Sequence, residues 1–185
     1  NEANFDLVVV GGGAAGFNAA FSCQALHPDK RVVLVDQEPE VGYYRTLLPM
    51  FMAGKLPEEK LFFWRPGHGK DLEVRSGVKV LSLDRQAKRL SLESGETLTY
   101  QRLILAPGGR PVVPPVFERS VTPAGVFPVR SLAVAREIKT WLPAHRDIVV
   151  LGGGLVGSKT SVFLRLAGFS VTLVEREAHI LPTVL

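Results

Sequence analysis

"DLVVVGGGAAGF", from Asp6 to Phe17, and "DIVVLGGGLVGS", from Asp147 to Ser158, are two copies of one pattern. Each opens with an aspartate and a β-rich apolar run. Three glycines follow, then two small or apolar residues and a fourth glycine. Downstream of each comes an apolar helix-like stretch and a second apolar run, "RVVLVD" and "SVTLVE". The reading is strand, glycine turn, helix, strand, repeated near both ends of the chain. The second runs end on acids, Asp36 and Glu175, which lie 20 and 18 residues beyond Gly16 and Gly157. That is the acid spacing of a dinucleotide-binding βαβ unit.

Each position has a physical reason. Gly11 and Gly152 permit the sharp turn out of the strand. Gly13 and Gly154 lack a Cβ, so a pyrophosphate can approach the backbone. Gly16 and Gly157 let helix and strand pack closely. The helix N-terminus, with Ala14 and Ala15 in the first copy, offers unpaired N–H groups and the positive end of a dipole. The terminal acid accepts hydrogen bonds from a ribose. One such motif is a weak signal; two, each with strand, helix and acid in register, are a strong one. Both strands read as continuous apolar runs, the pattern of a parallel sheet covered on both faces.

Composition bounds the rest. The chain has 185 residues, 46% of them hydrophobic and 22% charged, enough apolar material for one large or two small domains. The net charge is +4, with Lys and Arg scattered, which argues against nucleic acid as a partner. No apolar run reaches the roughly 18 residues of a membrane span. The leading "NEANFD" is polar and acidic, unlike a signal peptide, and the absence of an initial Met suggests a tag residue or a cut site. A lone cysteine, Cys23, excludes an internal disulfide and fits a reducing, cytoplasmic setting. It falls inside the first helix, where a small buried thiol is the default.

Between the repeats the chain changes character. "VKVLSL", "KRLSLE" and "TLTYQRLIL" predict three short strands joined by "DRQA" and "SGE", a local antiparallel meander. The proline-rich stretch after Leu105 predicts an extended connection. "SLAVAREIKTWL" predicts an amphipathic helix capped by Ser131, with Leu132, Ala135, Ile138, Trp141 and Leu142 toward one side. Gly168 is placed to stop the helix of the second repeat. "PEEKLFFW" predicts a short helix behind Pro57. His27, His68, His145 and His179 show no ligand spacing, so no metal is expected. Trp64 and Trp141 are expected to pack, and "RPGHGK" lacks the ending of a P-loop.

In this order the segments resemble the FAD-dependent pyridine nucleotide-disulfide oxidoreductases, the two-dinucleotide flavoproteins. The resemblance rests on "VVVGGGAAG…VVLVD", "YYRTLLPMFMAGKL", "TLTYQRLILAPGGRP", "GVFPVRSLAVA" and "VVLGGGLVG…VTLVE", and leans toward the nitrite reductase and rubredoxin reductase branch. It implies an α/β chain: a Rossmann-like three-layer FAD/NAD(P)-binding fold with parallel sheet and antiparallel meander, followed by the start of a second βαβ dinucleotide-binding domain. Residues 1–112 would be FAD-binding and 113–185 NAD-binding, each the N-terminal part of its domain. Gly11, Gly13 and Gly16 would hold the FAD pyrophosphate and Asp36 its adenosine ribose, with Ala14, Ala15 and Gln37 among the cofactor-binding residues. Arg45 would lie near the flavin, Val80 would offer its backbone to adenine, and Ala106 and Gly108 would pack near the FAD. Gly152, Gly154, Gly157 and Glu175 would serve NADH. An acid at Glu175 repels a 2′-phosphate and favours NADH over NADPH, a preference that the adjacent Arg176 moderates.

The resemblance further implies an NADH:acceptor oxidoreductase whose reduced flavin feeds an acceptor protein or fused domain; an oligomer is allowed. Four departures qualify it. The redox cysteines of disulfide-reducing members are absent near Thr46. Lys159 stands where the family often has Glu, and Met50 where related reductases have its Lys partner, so Lys159 is a candidate cation beside the flavin. Pro107 replaces the Thr of the usual Ala-Thr-Gly. The chain stops at Leu185, short of the family's later FAD-binding and interface segments, so a fragment is expected. A type II NADH:quinone reductase and a non-catalytic flavin or NADH sensor are the alternatives.

Overall fold

The computed structural model describes residues 2–67, 72–117 and 124–182. His68, Gly69 and Lys70 of "RPGHGK", and Pro123, lie outside the described residues. The chain divides into two units, residues 1–43 with 62–109, and residues 44–61 with 110–185.

The first unit is built on six strands: β1 (Glu2–Val10), β2 (Val32–Val35), β3 (Glu73–Arg75), β4 (Val80–Asp84), β5 (Arg89–Leu92) and β6 (Thr97–Leu105). Their order across the sheet is β3-β2-β1-β6-β5-β4. β1 runs parallel to β2 and β6, and β2 parallel to β3; β4, β5 and β6 form the antiparallel meander. Successive side chains of a strand face opposite ways, and β1 and β2 use both faces. Leu7, Val9, Val32 and Leu34 join one cluster with Phe17, Ala20, Val41, Trp64 and Leu72. Phe5, Val8, Val33 and Val35 join another with Leu90, Leu92, Leu98 and Tyr100. This explains why β2 and the Leu7–Val10 half of β1 carry no polar alternation, whereas Glu2, Asn4 and Asp6 alternate at the more exposed start of β1.

Helix α1 (Ala14–Leu26) packs its Gly16, Phe17 and Ala20 inward. Cys23 leans on the same cluster but is only half-buried, a correction to the expectation of a buried thiol. The position lies past the closely packed first turns of the helix, where the outer side of α1 meets water. Trp64 is a packing residue, its ring tilted against Phe17 at 5.3 Å.

The second unit holds a 3-10 turn at Arg45–Leu47, helix α2 (Leu48–Met52), a second 3-10 turn at Glu58–Leu61, helix α3 (Leu132–Trp141), strand β7 (Asp147–Leu151), helix α4 (Leu155–Leu166) and strand β8 (Ser170–Val174). α2 packs against α3 and α4. Leu132, Ala135 and Ile138 form the buried stripe of α3, and the Ser131 hydroxyl accepts the Val134 N–H at its start. α4 ends on Gly168 at φ +93°; the Gly168 N–H reaches the Arg165 carbonyl and the Phe169 N–H the Leu164 carbonyl. That is a Schellman stop, the role expected of this glycine.

β7 and β8 pair in parallel as a two-stranded sheet. Here the expectation of two covered faces fails. Every second residue of both strands is exposed, Val149 at 63% and Leu151 at 50% among them. A single helix, α4, can shield only one face of a sheet, and among the described residues nothing shields the other. The apolar run encodes burial on both faces, and the second repeat half-buries one.

Candidate dinucleotide-binding turns

The first turn is assembled from three neighbouring strand ends. At the end of β1 the Gly11 N–H donates to the Val35 carbonyl at 2.8 Å, and the Ala106 N–H donates to the Val10 carbonyl at 2.8 Å. Gly11 has φ +110°, a conformation that disfavours any side chain, and a Cβ there would overlap the Ala106 carbonyl. A Cβ on Gly16 would overlap the Gly11 carbonyl and crowd the Ala106 methyl at 3.3 Å. A Cβ on Gly13 would meet nothing within 4 Å. So the outer glycines are small because protein is close, and the middle one of the motif is small beside open space. Gly13 is also the N-cap of α1, with no side chain capping it. The leading N–H groups of the helix, those of Ala14, Ala15 and Gly16, have no intrahelical acceptor. The result is a small cradle of donors with room for a phosphate.

Asp36 closes the turn. One carboxylate oxygen accepts the Gly12 N–H, and the other accepts the Glu38 N–H at 2.6 Å. Tyr43 in turn donates its hydroxyl to Glu38 at 2.5 Å. Gln37 between them is exposed. The backbone after β3 is stitched here too: Asp36 N–H to Arg75, Val78 N–H to the Asp36 carbonyl and Gly77 N–H to Glu38, at 2.9–3.0 Å. This leads the chain past Asp36 into β4, where Val80 pairs with Leu92 beside a register irregularity. Gly108 follows Ala106 at φ +72°.

The second turn repeats the first except at its leading glycine, where a Cβ on Gly152 would meet nothing within 4 Å. The Gly152 N–H donates to Val174 at 2.8 Å, Gly152 has φ +97°, and a Cβ on Gly157 would overlap the Gly152 carbonyl. Gly154 caps α4 and faces open space, as Gly13 does. Glu175 accepts the Gly153 N–H at 2.5 Å on one oxygen and the Glu177 N–H at 2.9 Å on the other. The donors of Glu177 and then Gly153 hold its carboxyl below the ordinary glutamate range. Ser158 donates its hydroxyl to the Gly153 carbonyl at 2.8 Å.

The middle glycines, Gly12 and Gly153, are therefore part of each turn, although the spacing argument passes over them. A Cβ on Gly12 would collide with Val41 and press on Asp36, and one on Gly153 would press on Glu175 and Ile180. The signal for them is the third consecutive glycine, present in both repeats and not required by the bare motif.

Arg45 belongs to the second unit. Its guanidinium donates to the Arg130 carbonyl at 3.1 Å. Lys159 on α4 donates to the Thr46 carbonyl at 2.7 Å. Arg136 on α3 makes a two-armed pair with Glu58 at 2.6 and 3.2 Å, and the Lys139 ammonium sits 4.2 Å over the Phe51 ring. The segment 44–61 is thus fixed to α3 and α4 by basic side chains. Among the described residues no cluster of His, Cys, Asp or Glu could hold a metal ion, and no helix is long and apolar enough to cross a membrane.

Comparison with known proteins points the same way. The profile of the pyridine nucleotide-disulphide oxidoreductases matches residues 5–185. Putidaredoxin reductase CamA of Pseudomonas putida is 32% identical over 187 residues, covering 99% of this chain and 44% of that protein. Rubredoxin-NAD(+) reductase of Alcanivorax borkumensis is 29% identical, covering 97% of this chain and 47% of its own. The putidaredoxin reductase–putidaredoxin complex superposes with a TM-score of 0.85 at 29% identity, over 99% of this chain and 45% of that one. The chain spans less than half the length of these relatives.

Proposed function

The chain belongs to the pyridine nucleotide-disulphide oxidoreductase family, and from that membership we propose that it carries the FAD turn and the opening βαβ unit of the NADH turn of an NADH:acceptor oxidoreductase. The observation that carries this reading is the contrast among the motif glycines. Gly11, Gly16 and Gly157 are hemmed in by backbone and Gly152 is fixed by its φ of +97°, while Gly13 and Gly154 face open space at an ordinary φ of −71° at uncapped helix N-termini. At those two positions neither φ nor a neighbouring protein atom calls for glycine, whereas an approaching phosphate does.

The residues present fit the two nucleotides. Gly13, Ala14, Ala15 and Gly16 offer N–H groups to the FAD pyrophosphate, and Gly11 and Ala106 set the backbone against which it lies. Asp36, already fixed by two backbone donors, keeps further lone pairs for ribose hydroxyls. Val80 lies on the strand that follows the Asp36 stitch and serves the adenine. Gly152, Gly154, Gly157 and Glu175 do the same for NADH. Gly108 serves the flavin end. When bound, FAD supplies a ring that accepts hydride from NADH and releases electrons to an acceptor. The protein's share is binding, orientation and exclusion of water.

The acceptor is a small redox protein or a fused acceptor domain, a reading supported by relatives named as putidaredoxin and rubredoxin reductases. The only thiol of the sequence is Cys23, half-buried on α1, so no protein dithiol of this chain relays the electrons. We place the protein in the cytoplasm on the same grounds.

The test is an FAD titration of the purified chain followed by visible absorbance and flavin fluorescence. The expected outcome is a flavin spectrum that stays with the protein through gel filtration and is lost in Gly13→Val. Flavin that a folded Gly13→Val chain holds as firmly as the wild type overturns the reading.

A further inference from the structure

The two acid turns differ in one charged position. In the first, Asp36-Gln37-Glu38 places a neutral, exposed glutamine between the acids. In the second, Glu175-Arg176-Glu177 places an arginine there. The backbone geometry is otherwise the same: the third residue donates its N–H to the first, Glu38 to Asp36 at 2.6 Å and Glu177 to Glu175 at 2.9 Å. An arginine directly after the ribose acid is where a 2′-phosphate would find a cation. Its side chain is 91% exposed and stands in solvent where a ligand can reach it. Yet the guanidinium is already engaged. Its Nε and Nη2 both donate to one Glu177 carboxylate oxygen, at 3.1 and 2.8 Å.

We propose that Glu177 is a specificity-determining residue: it holds and neutralises Arg176, so that the second turn keeps the preference for a 2′-hydroxyl that Glu175 sets. Arg176 is in this sense a 2′-phosphate ligand kept out of use. The inference rests on the reading of the second turn as a pyridine nucleotide site. It requires no rearrangement of the turn, because the Glu177 backbone N–H that anchors Glu175 is independent of the Glu177 side chain. An exposed pair of this kind is weak and screened by salt, so Glu177 lowers the pull of Arg176 on a dianionic phosphate by a small factor, and removing the carboxylate restores it.

The experiment measures NADH and NADPH dissociation constants by calorimetry on the full chain, in the wild type, Glu177→Gln, Arg176→Gln and the double variant. In the wild type NADH binds more tightly. Glu177→Gln is expected to lower the ratio of the NADPH to the NADH constant by about fivefold, the effect of freeing one exposed charge. That gain should shrink at high ionic strength and vanish in the double variant, which has no guanidinium to release. A ratio unmoved by Glu177→Gln, or a gain that survives without Arg176, overturns the inference while leaving the site assignment standing. A folded chain that binds neither nucleotide overturns the site assignment and the inference together.

Discussion

The Lys159 ammonium donates to the Thr46 carbonyl at 2.7 Å, tying the helix that starts at Gly154 to the turn that carries Arg45. Arg45 itself grips the Arg130 carbonyl. Two basic side chains therefore hold one 3-10 turn through backbone oxygens. A hydrogen bond from a charged donor is stronger than a neutral one, but this lysine is only half-buried. Lys159→Met should lower the unfolding free energy by about 1 kcal/mol. Lys159→Arg should retain most of it, and Thr46→Ala should be neutral because the acceptor is backbone. Urea denaturation followed by tryptophan fluorescence measures all three. Equal losses for Lys159→Met and Thr46→Ala would assign the effect to helix surface rather than to this bond.

The motif glycines divide into positions hemmed in by protein and positions that face open space. Gly16→Ala puts a methyl into the Gly11 carbonyl, so the turn must move, at a cost of about 1–3 kcal/mol. Gly13→Ala meets no protein atom and sits at φ −71°, an ordinary value for alanine. It should melt like the wild type and lose FAD affinity tenfold or more, about 1.4 kcal/mol. Gly157 and Gly154 should divide the same way for NADH. Thermal unfolding and flavin titration on the same samples test the split. A Gly13→Ala protein with unchanged flavin affinity would remove the phosphate role from that position.

The sequence carries this division because its cause is local. A strand, a φ above zero and a close helix contact all fall within a dozen residues, so the pattern of Asp6–Phe17 exposes them. The acids are legible for the same reason, being fixed by the length of one βαβ unit. Ser131, which accepts the Val134 N–H at 3.3 Å, is a signal of the same local kind. β3 is not legible. Glu73–Arg75 is three residues long with no alternation, and it exists only because the β2 edge is there to pair with it. The grouping of residues 44–61 with α3 and α4 is equally non-local, depending on Glu58 meeting Arg136 across 78 positions. The half-exposed β7–β8 sheet is hidden for the opposite reason: its residues are written for burial on both faces.

Ser131 allows a clean measurement of a local signal. Ser131→Ala removes the side-chain acceptor of the Val134 N–H at the start of α3 and should cost about 1 kcal/mol, whereas Ser131→Asp should preserve the cap and add a favourable charge at the dipole's positive end. Chemical denaturation ranks the three proteins. A Ser131→Asp chain no more stable than Ser131→Ala would mean that the 3.3 Å contact contributes nothing to the helix.

Glu175 gives the second turn a pH signature. Its carboxyl is held below the ordinary value of 4.5, first by the Glu177 N–H and then by the Gly153 N–H. A group with a depressed native pKa favours the folded state when ionised. Its contribution is full above pH 4.5, declines as pH falls toward the lowered native value, and is gone below it. Carbon-detected titration of the glutamate carboxyls should find Glu175 below the model-peptide value, with the Gly153 amide shift following the same curve. Ribose recognition by the second turn should accordingly persist into mildly acidic solution, as long as the rest of the chain stays folded. Glu175→Gln should abolish the Gly153 transition and weaken NADH binding at neutral pH, because the amide offers the ribose a poorer acceptor than the carboxylate. A Glu175 that titrates at or above the ordinary value would show that the two backbone donors do not hold it in solution.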